Sequence, residues 1–203
     1  FIGLIVSGGH TDLLFFKSTT DYEWLGGTRD DAAGEALDKI GRLLDLPYPA
    51  GPEIEERART ITNTKKSFTS PMLHDEGFDF SFSGLKAEVM RFVKEKKLDE
   101  TITNEICHAT QKAIIDVLVK KTMAAAEKYS AQTILLGGGV SANQKLHEEL
   151  KNKIKELNLK AQVLSPEKQY TTDNAAMIGA YALLDYKPID WQKIKAVPDL
   201  YFG

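Results

Sequence analysis

The sequence predicts an α/β domain in which helices flank a mixed β-sheet. Short apolar runs alternate with stretches of helical periodicity, and two of these runs end in glycine turns, at Ser7-Gly8-Gly9 and at Gly137-Gly138-Gly139. Strands that alternate with helices favour a layered α/β architecture. The 203 residues, of which 42% are hydrophobic and 27% charged, are enough to bury a substantial core without a disulfide or a metal.

The first half of the chain predicts a small meander followed by helices. Strands are predicted at residues 3–6, 13–16 and 22–25. Asp30 and Asp31 are predicted to open a helix that continues to about Leu44, because acidic residues in a first turn complement the helix dipole. A second helix is predicted over residues 53–60, and residues 65–83 are predicted to form a loop with a short hairpin.

The second half of the sequence predicts further strands that alternate with helices. Helices are predicted at about residues 85–96, 104–129 and 173–184, with one more directly after the triple-glycine turn, and strands at 133–136 and 161–164. The domain is expected to span residues 1–186, and residues 187–203 are expected to form a tail without a strong pattern.

Charge and cysteine content exclude several classes of protein. With 26 basic and 29 acidic residues, the chain lacks the basic surplus of a stand-alone nucleic-acid-binding protein. Cys107 is the only cysteine, which excludes an internal disulfide framework and suits the cytoplasm; its mostly apolar neighbours at helical spacing predict a buried structural thiol. No apolar run approaches the roughly 20 residues that cross a bilayer, so no membrane partner is expected.

The two glycine turns are candidate ligand sites. The turn over residues 6–11 is predicted to leave backbone N–H groups free to bind an anion, although a plain hairpin turn fits as well. The strand, triple glycine and helix over residues 136–143 form the pattern in which a nucleotide lies against a helix N-terminus. The alternative there is that Ser141 or Asn143 simply caps the helix.

Two acidic motifs have both a functional and a structural interpretation. Asp31, Glu35 and Asp38 share one helical face, which could hold a sugar hydroxyl or a cation, or could be a solvated face paired with Lys39 and Arg42. Asp173 could cap the last helix or bind a metal.

Gly34 and the Phe80–Lys86 motif are two further candidate features. Gly34 costs about 1 kcal/mol relative to alanine inside a helix, which indicates close packing or a close ligand. In the distinctive Phe80–Lys86 motif, Phe80 and Phe82 alternate with serines as strand residues do. Lys86 could reach a phosphate or be an ordinary surface residue.

Taken together and in this order, the motifs resemble the TsaD family, also called Gcp or Kae and formerly labelled O-sialoglycoprotein endopeptidase. The matching segments are residues 6–11, 30–39, 48–52, 80–86, 137–143 and 172–174. The resemblance implies a two-lobed actin/hexokinase/Hsp70-like (ASKHA) fold, with this chain as its second, C-terminal lobe and a last helix (about 173–186) that returns toward the first lobe. It also implies transfer of a threonylcarbamoyl group from threonylcarbamoyl-AMP to the exocyclic amine of the tRNA adenosine beside the anticodon, with release of AMP.

The resemblance further implies roles for single residues. The substrate- and nucleotide-binding residues would be Ile5, Val6, Ser7, Gly8, Gly9, Asp38, Gly51, Gly137, Gly138, Gly139 and Asn143. Asp173 would bind one divalent metal, Fe or Zn, in the full-length protein. No catalytic base is assigned, and His10 is a candidate to orient the phosphate or the acceptor. The implied partners are tRNA, a TsaB-like paralogue, a TsaE-like ATPase and a TsaC-like enzyme that makes the adenylate.

Some parts of the family pattern are missing from this sequence. The family's His-x-x-x-His motif and first phosphate loop would precede the Ser-Gly-Gly turn, and the chain opens at Phe1 inside a predicted strand, as a fragment would. Ile5 stands where some relatives have a tyrosine metal ligand, and its side chain cannot bind metal. With Asp173 as the remaining ligand, we expect no high-affinity metal binding and no transferase activity from this chain alone.

Two other functions stay open at this level. The chain could belong to another nucleotide-using enzyme of the same superfold, such as a carbohydrate kinase or a carbamoyltransferase, because a fold does not fix a function. It could also be a non-catalytic lobe that binds partner subunits. An endopeptidase is disfavoured, because the sequence contains neither a zinc-protease motif nor a credible nucleophile–base pair.

Overall fold

A five-stranded mixed sheet organises the protein, of which the computed structural model describes residues 1–197. The strands are β1 (Ile2–Val6), β2 (Thr11–Phe16), β3 (Tyr22–Gly27), β4 (Thr133–Gly137) and β5 (Gln162–Leu164), in the spatial order β3-β2-β1-β4-β5. β1, β2 and β3 are antiparallel neighbours, whereas β4 is parallel to both β1 and β5. The carboxyl ends of β1, β4 and β5 therefore meet at one edge of the sheet, where ligands bind in open α/β sheets.

Helices flank the sheet, as predicted. They are α1 (Ala33–Leu43), α2 (Ala50–Arg59), α3 (Ser83–Lys94), α4 (Glu100–Lys128), α5 (Gln144–Glu156) and α6 (Ala175–Leu184). α4 is central to the core: it contacts α2, α3, α5 and β1, and it is buried over most of its length. Cys107 lies on α4, fully buried as predicted, and burial raises the pKa of its thiol to about 12.

The prediction that Asp30 and Asp31 open the first helix is wrong, because α1 begins at Ala33. Asp30 instead accepts hydrogen bonds at the start of α3. Its Oδ1 accepts from the amides of Phe82 (2.7 Å) and Ser83 (3.2 Å), and its Oδ2 accepts from the hydroxyls of Ser81 (2.5 Å) and Ser83 (2.6 Å). Burial alone would raise the pKa of Asp30, but these hydrogen bonds lower it below its ordinary value.

The predicted hairpin in residues 65–83 is not formed. The only bridge in that segment is a parallel one between Thr28 and Phe80, whose backbone also pairs with Gly27 and Arg29. Phe80 and Phe82 are fully buried, so their alternation reflects burial in the core and not a strand. Residues 79–83 thereby join the β3–α1 connection to α3.

Other helix boundaries differ from the predicted ones for local reasons. α2 includes Gly51 and Pro52 in its first turn, where proline is tolerated because its missing N–H has no helical partner. α4 begins earlier than predicted, because the Asp99 side chain accepts a hydrogen bond (2.8 Å) from the amide of Ile102 and caps the helix.

The last helix is shorter than the predicted 173–186 and lies on the surface. Asn174, not Asp173, caps it by accepting a hydrogen bond (3.1 Å) from the amide of Met177. None of the residues of α6 is buried although its composition is apolar, and Leu183 is 88% exposed. None of the described helices is both long and apolar enough to cross a membrane.

Candidate functional site

The Ser7–His10 turn follows β1 at the carboxyl edge of the sheet. Its backbone closes through a hydrogen bond (2.8 Å) from the Ser7 amide to the His10 carbonyl. The Ser7 hydroxyl accepts from the amides of Gly9 (3.2 Å) and His10 (3.0 Å). The prediction of free amides is therefore wrong for Gly9 and His10. The amide of Gly8 has no hydrogen-bond partner among residues 1–197.

Close packing does not explain why residues 8 and 9 are glycines. A Cβ atom built on either one meets nothing within 4 Å, and neither residue has a positive φ. Both are exposed. Glycine at these two positions therefore leaves open space beside the turn, which is the condition for close approach of a ligand to the backbone.

Helix α1 lies directly against this turn. The amide of Gly34 donates a 3.0 Å hydrogen bond to the carbonyl oxygen of Ser7, and a Cβ at Gly34 would lie 2.6 Å from that oxygen. The buried hydroxyl of Thr11 accepts a second hydrogen bond (2.9 Å), from the amide of Ala33. The prediction of close packing at Gly34 is confirmed, and its partner is the Ser-Gly-Gly turn.

The triple-glycine turn lies beside the first turn. Gly137 ends β4 and pairs with Ile5 of β1, while Gly138 has a φ of 89°, which favours glycine. A Cβ at Gly138 would collide with the carbonyl oxygen of Val6 and lie 3.0 Å from Ser7 Cβ. Gly139 starts a short 3-10 helix, and a Cβ there would meet open space.

Asn143 is the cap of α5, as one of the two interpretations predicted. Its Oδ1 accepts a hydrogen bond (3.0 Å) from the amide of Leu146, and its Nδ2 donates (2.9 Å) to Oε1 of Gln111. Because an amide group carries two N–H donors, one N–H of Asn143 has no partner among the described residues.

Asp38 and Gly51 lie where α1 meets α2. Oδ1 of Asp38 accepts a 2.7 Å hydrogen bond from the amide of Ala50, the first residue of α2. Oδ2 of Asp38 has no hydrogen-bond partner in the described part of the chain. A Cβ at Gly51 would lie 3.8 Å from Leu37 Cδ1, an ordinary contact, so packing does not require glycine there.

The three carboxylates of the Asp31, Glu35 and Asp38 motif do not converge on one point. Lys39 forms ion pairs with Asp31 (2.6 Å) and Glu35 (2.9 Å), whereas Asp38 is bound to α2. The hydrogen bond from Lys39 lowers the pKa of Glu35, and hydrogen bonds to Asp31 and Glu35 raise the pKa of Lys39. Two of the three carboxylates thus form an ordinary paired surface.

Asp173 does not join this cluster. It lies in an exposed bend before α6, and no hydrogen bond or ion pair within residues 1–197 connects it to either glycine turn. In the same range, no group of three His, Cys, Asp or Glu side chains could hold a metal ion. A single carboxylate does not fit a resident metal, which needs several ligands.

Sequence reasoning missed two residues that hold the cluster together. Oε1 of Glu55 accepts a 2.8 Å hydrogen bond from the amide of Gln144 and thereby joins α2 to the start of α5. Gln111, buried on α4, holds the Asn143 side chain. Neither contact leaves a spacing pattern, because each joins residues more than 30 positions apart.

Comparison with known proteins gives the family. The family model described as "TsaD: tRNA N6-adenosine threonylcarbamoyltransferase" matches residues 2–180. Proteins named tRNA N6-adenosine threonylcarbamoyltransferase are 42% identical over 98% of this chain in Moorella thermoacetica, and 45% identical over 88% in Desulfotalea psychrophila. The chain covers 59% and 53% of the lengths of these two relatives.

Solved structures give the fold. The chain resembles component A of (R)-2-hydroxyglutaryl-CoA dehydratase from Acidaminococcus fermentans, with a TM-score of 0.51 and 11% identity over 84% of this chain and 57% of that one. It also resembles the activator of 2-hydroxyisocaproyl-CoA dehydratase from Clostridium difficile with bound ADPNP, with a TM-score of 0.50 and 13% identity over 93% of this chain and 64% of that one. The fold is of the ASKHA type, and by sequence the chain belongs to the TsaD family of tRNA N6-adenosine threonylcarbamoyltransferases.

Proposed function

We propose that this chain is the nucleotide-binding lobe of a tRNA N6-adenosine threonylcarbamoyltransferase. In the reaction, the N6 amine of an adenosine in tRNA attacks the carbamoyl carbon of threonylcarbamoyl-AMP. A C–N bond forms, the bond from that carbon to the phosphate oxygen breaks, AMP leaves with the bonding electrons, and the amine loses a proton. Because the adenylate is already activated, the protein mainly has to position it and stabilise charge.

The observation that carries this proposal is the open glycine pair, Gly8 and Gly9. Packing requires neither glycine, whereas the adjacent Gly34 and Gly138 are required by close backbone contacts. A phosphate beside Gly8 and Gly9 would explain why side chains are absent there. We therefore assign the phosphate of the adenylate to this turn.

Three further residues support the nucleotide assignment. Oδ2 of Asp38 can accept a hydrogen bond from a ribose hydroxyl while Oδ1 stays bound to Ala50. The remaining N–H of Asn143 can donate to an acceptor, and the open space at Gly139 provides a surface for the adenosine. His10 remains our candidate for orienting the phosphate or the acceptor.

The test is nucleotide binding to Gly9→Ala. We expect at least about a tenfold loss in AMP affinity, equal to roughly 1.4 kcal/mol, with unchanged thermal stability, because the new methyl group meets no protein atom. Gly179→Ala in α6 is the matched control, since a Cβ there also meets nothing within 4 Å. Equal AMP affinity of the two variants, measured by calorimetry, would refute the assignment of the phosphate.

The complete protein is proposed to supply what this chain lacks. We propose that tRNA, a TsaB-like paralogue, a TsaE-like ATPase and a TsaC-like enzyme act with it in the cytoplasm. If the complete protein binds Fe or Zn, Asp173 is the ligand that this chain contributes. A product assay that detects AMP and no ADP separates this function from that of a carbohydrate kinase.

A role in binding other subunits is the second candidate. The observation that favours it is α6, whose Met177, Ile178, Tyr181 and Leu183 side chains are all exposed. Apolar patches of this kind mark interaction surfaces. We propose that α6 packs on the first lobe of the complete protein, and binding of the chain to that lobe, with and without substitutions in α6, tests this.

A further inference from the structure

A cavity next to the proposed nucleotide site is not used by that function. Its volume is about 440 Å³, and it lies between the start of α5 and residues 165–171, which follow β5. It therefore lies at the same carboxyl edge of the sheet as the Ser7–His10 turn. Its volume is in the range of small-ligand sites.

The charged side chains around this cavity leave a positive surplus. Lys151 and Lys168 line it, and neither forms an ion pair within residues 1–197. Glu148 also lines it, and its carboxylate shares Lys145 with Glu149, at 3.4 and 2.8 Å. The lining therefore has two cations and one carboxylate, and this surplus of positive charge favours an anionic ligand.

The walls of the cavity are held in place by short-range hydrogen bonds. Both the amide and the hydroxyl of Thr171 donate to the carbonyl oxygen of Lys168, at 3.3 and 2.8 Å, which fixes the 3-10 turn that carries this lysine. Nε2 of His147 donates a 2.8 Å hydrogen bond to the carbonyl of Ser141, which fixes the ring against the opposite wall. The site is therefore built before a ligand arrives.

We propose that the cavity binds a backbone phosphate of tRNA, with Lys151 and Lys168 as its cationic ligands. This inference rests on the proposed function, because that function makes tRNA the macromolecular substrate. The chain has a net charge of −3, so it cannot hold RNA by a general positive field and needs a local site of this kind. A polynucleotide that enters here would run along the edge of the sheet toward the Ser7–His10 turn.

The test compares two double variants of the 203-residue chain that change the charge equally. Lys151→Gln with Lys168→Gln removes the cavity cations, and Lys155→Gln with Lys160→Gln removes two lysines that do not line the cavity. Binding of a labelled anticodon stem-loop is measured by fluorescence anisotropy at several salt concentrations. We expect the cavity variant to bind about tenfold more weakly and to lower the slope of log affinity against log salt by about 1, with little change in the control.

Three outcomes would overturn the proposal. The first two are equal RNA affinity of the two double variants and no RNA binding by the unsubstituted chain at low salt. The third is tighter binding of inorganic phosphate than of the stem-loop, which would make the cavity a site for small anions. AMP binding is measured in parallel and should be the same in both double variants. If AMP does not bind, the proposed nucleotide site is wrong. The RNA affinities of the two double variants still test the proposed phosphate site separately.

Discussion

The amide of Gly34 donates a 3.0 Å hydrogen bond to the carbonyl oxygen of Ser7, which joins α1 directly to the glycine turn after β1. On the other side, Gly138 approaches the same turn closely, so the turn is held between two glycine contacts from distant parts of the chain. The exposed part of the turn, Gly8 and Gly9, is thereby presented on a rigid base. Binding sites on rigid elements hold their ligands more precisely than sites on mobile loops.

Gly34→Ala should disrupt this contact. The added Cβ would lie 2.6 Å from Ser7 O and 2.8 Å from Gly8 N, both of them backbone atoms that cannot rotate away. We expect a loss of about 1–3 kcal/mol in the free energy of unfolding, measured in urea, because overpacking forces backbone shifts. Gly84→Ala is the control: a Cβ there meets nothing within 4 Å, and alanine favours the helix. Equal destabilisation by the two substitutions would contradict the contact.

Substitutions at Asp38 should separate its structural role from its proposed role in ligand binding. Asp38→Ala removes the acceptor for the Ala50 amide, and we expect it to cost about 1–2 kcal/mol in unfolding free energy. Asp38→Asn can keep that acceptor while an amide group replaces Oδ2, which then cannot accept from a ribose hydroxyl. We therefore expect near-normal stability but weaker AMP binding for Asp38→Asn. Normal AMP affinity in this variant would exclude Asp38 as a ribose ligand.

Charged substitutions on α6 should reduce association without affecting the fold. Ile178 and Leu183 are 69% and 88% exposed, so replacing both by lysine removes no core contact. We expect the unfolding free energy to change by less than about 0.5 kcal/mol, while binding of a hydrophobic dye and self-association both fall. Gln169→Lys with Gln192→Lys adds the same charge without removing apolar surface. If this control lowered dye binding equally, charge and not the apolar face would be responsible.

Patterns within single elements were predictable from the sequence, and contacts between distant segments were not. Within residues 1–197, all five strands and all six α-helices have counterparts in the sequence predictions, because periodicity and glycine turns are local. Gly34 was correctly interpreted as a close contact, but its partner, Ser7, lies outside its own helix. Phe80 and Phe82 alternate as strand residues do, yet both are buried in the core and only Phe80 forms a bridge.

In the candidate site too, local features were predictable and contacts between distant segments were not. The sequence predicted both glycine turns and the capping role of Asn143, which depend on neighbouring residues. It did not predict that the Ser7 hydroxyl occupies two amides of its own turn, or that Glu55 joins α2 to α5. Asp30 is also among the contacts that the sequence did not predict, because the groups that donate to its carboxylate lie some 50 residues away.

Asp30 should make the stability of the protein depend on pH in the acid range. Its pKa is lower in the folded protein than in the unfolded chain, because the hydrogen bonds from Ser81, Ser83 and Phe82 outweigh the effect of burial. A carboxyl group with a lowered folded pKa stabilises the fold above its unfolded pKa of about 4, and this contribution is lost as the pH falls further. Asp30→Asn removes the titration, so the stability difference from the unsubstituted chain should be largest near pH 6 and shrink toward pH 3. Urea unfolding across this range measures it, with Asp45→Asn as the control, since the Asp45 side chain has no hydrogen-bond partner among the described residues. A difference that stays constant with pH would show that the Asp30 carboxylate is not selectively stabilised by the fold.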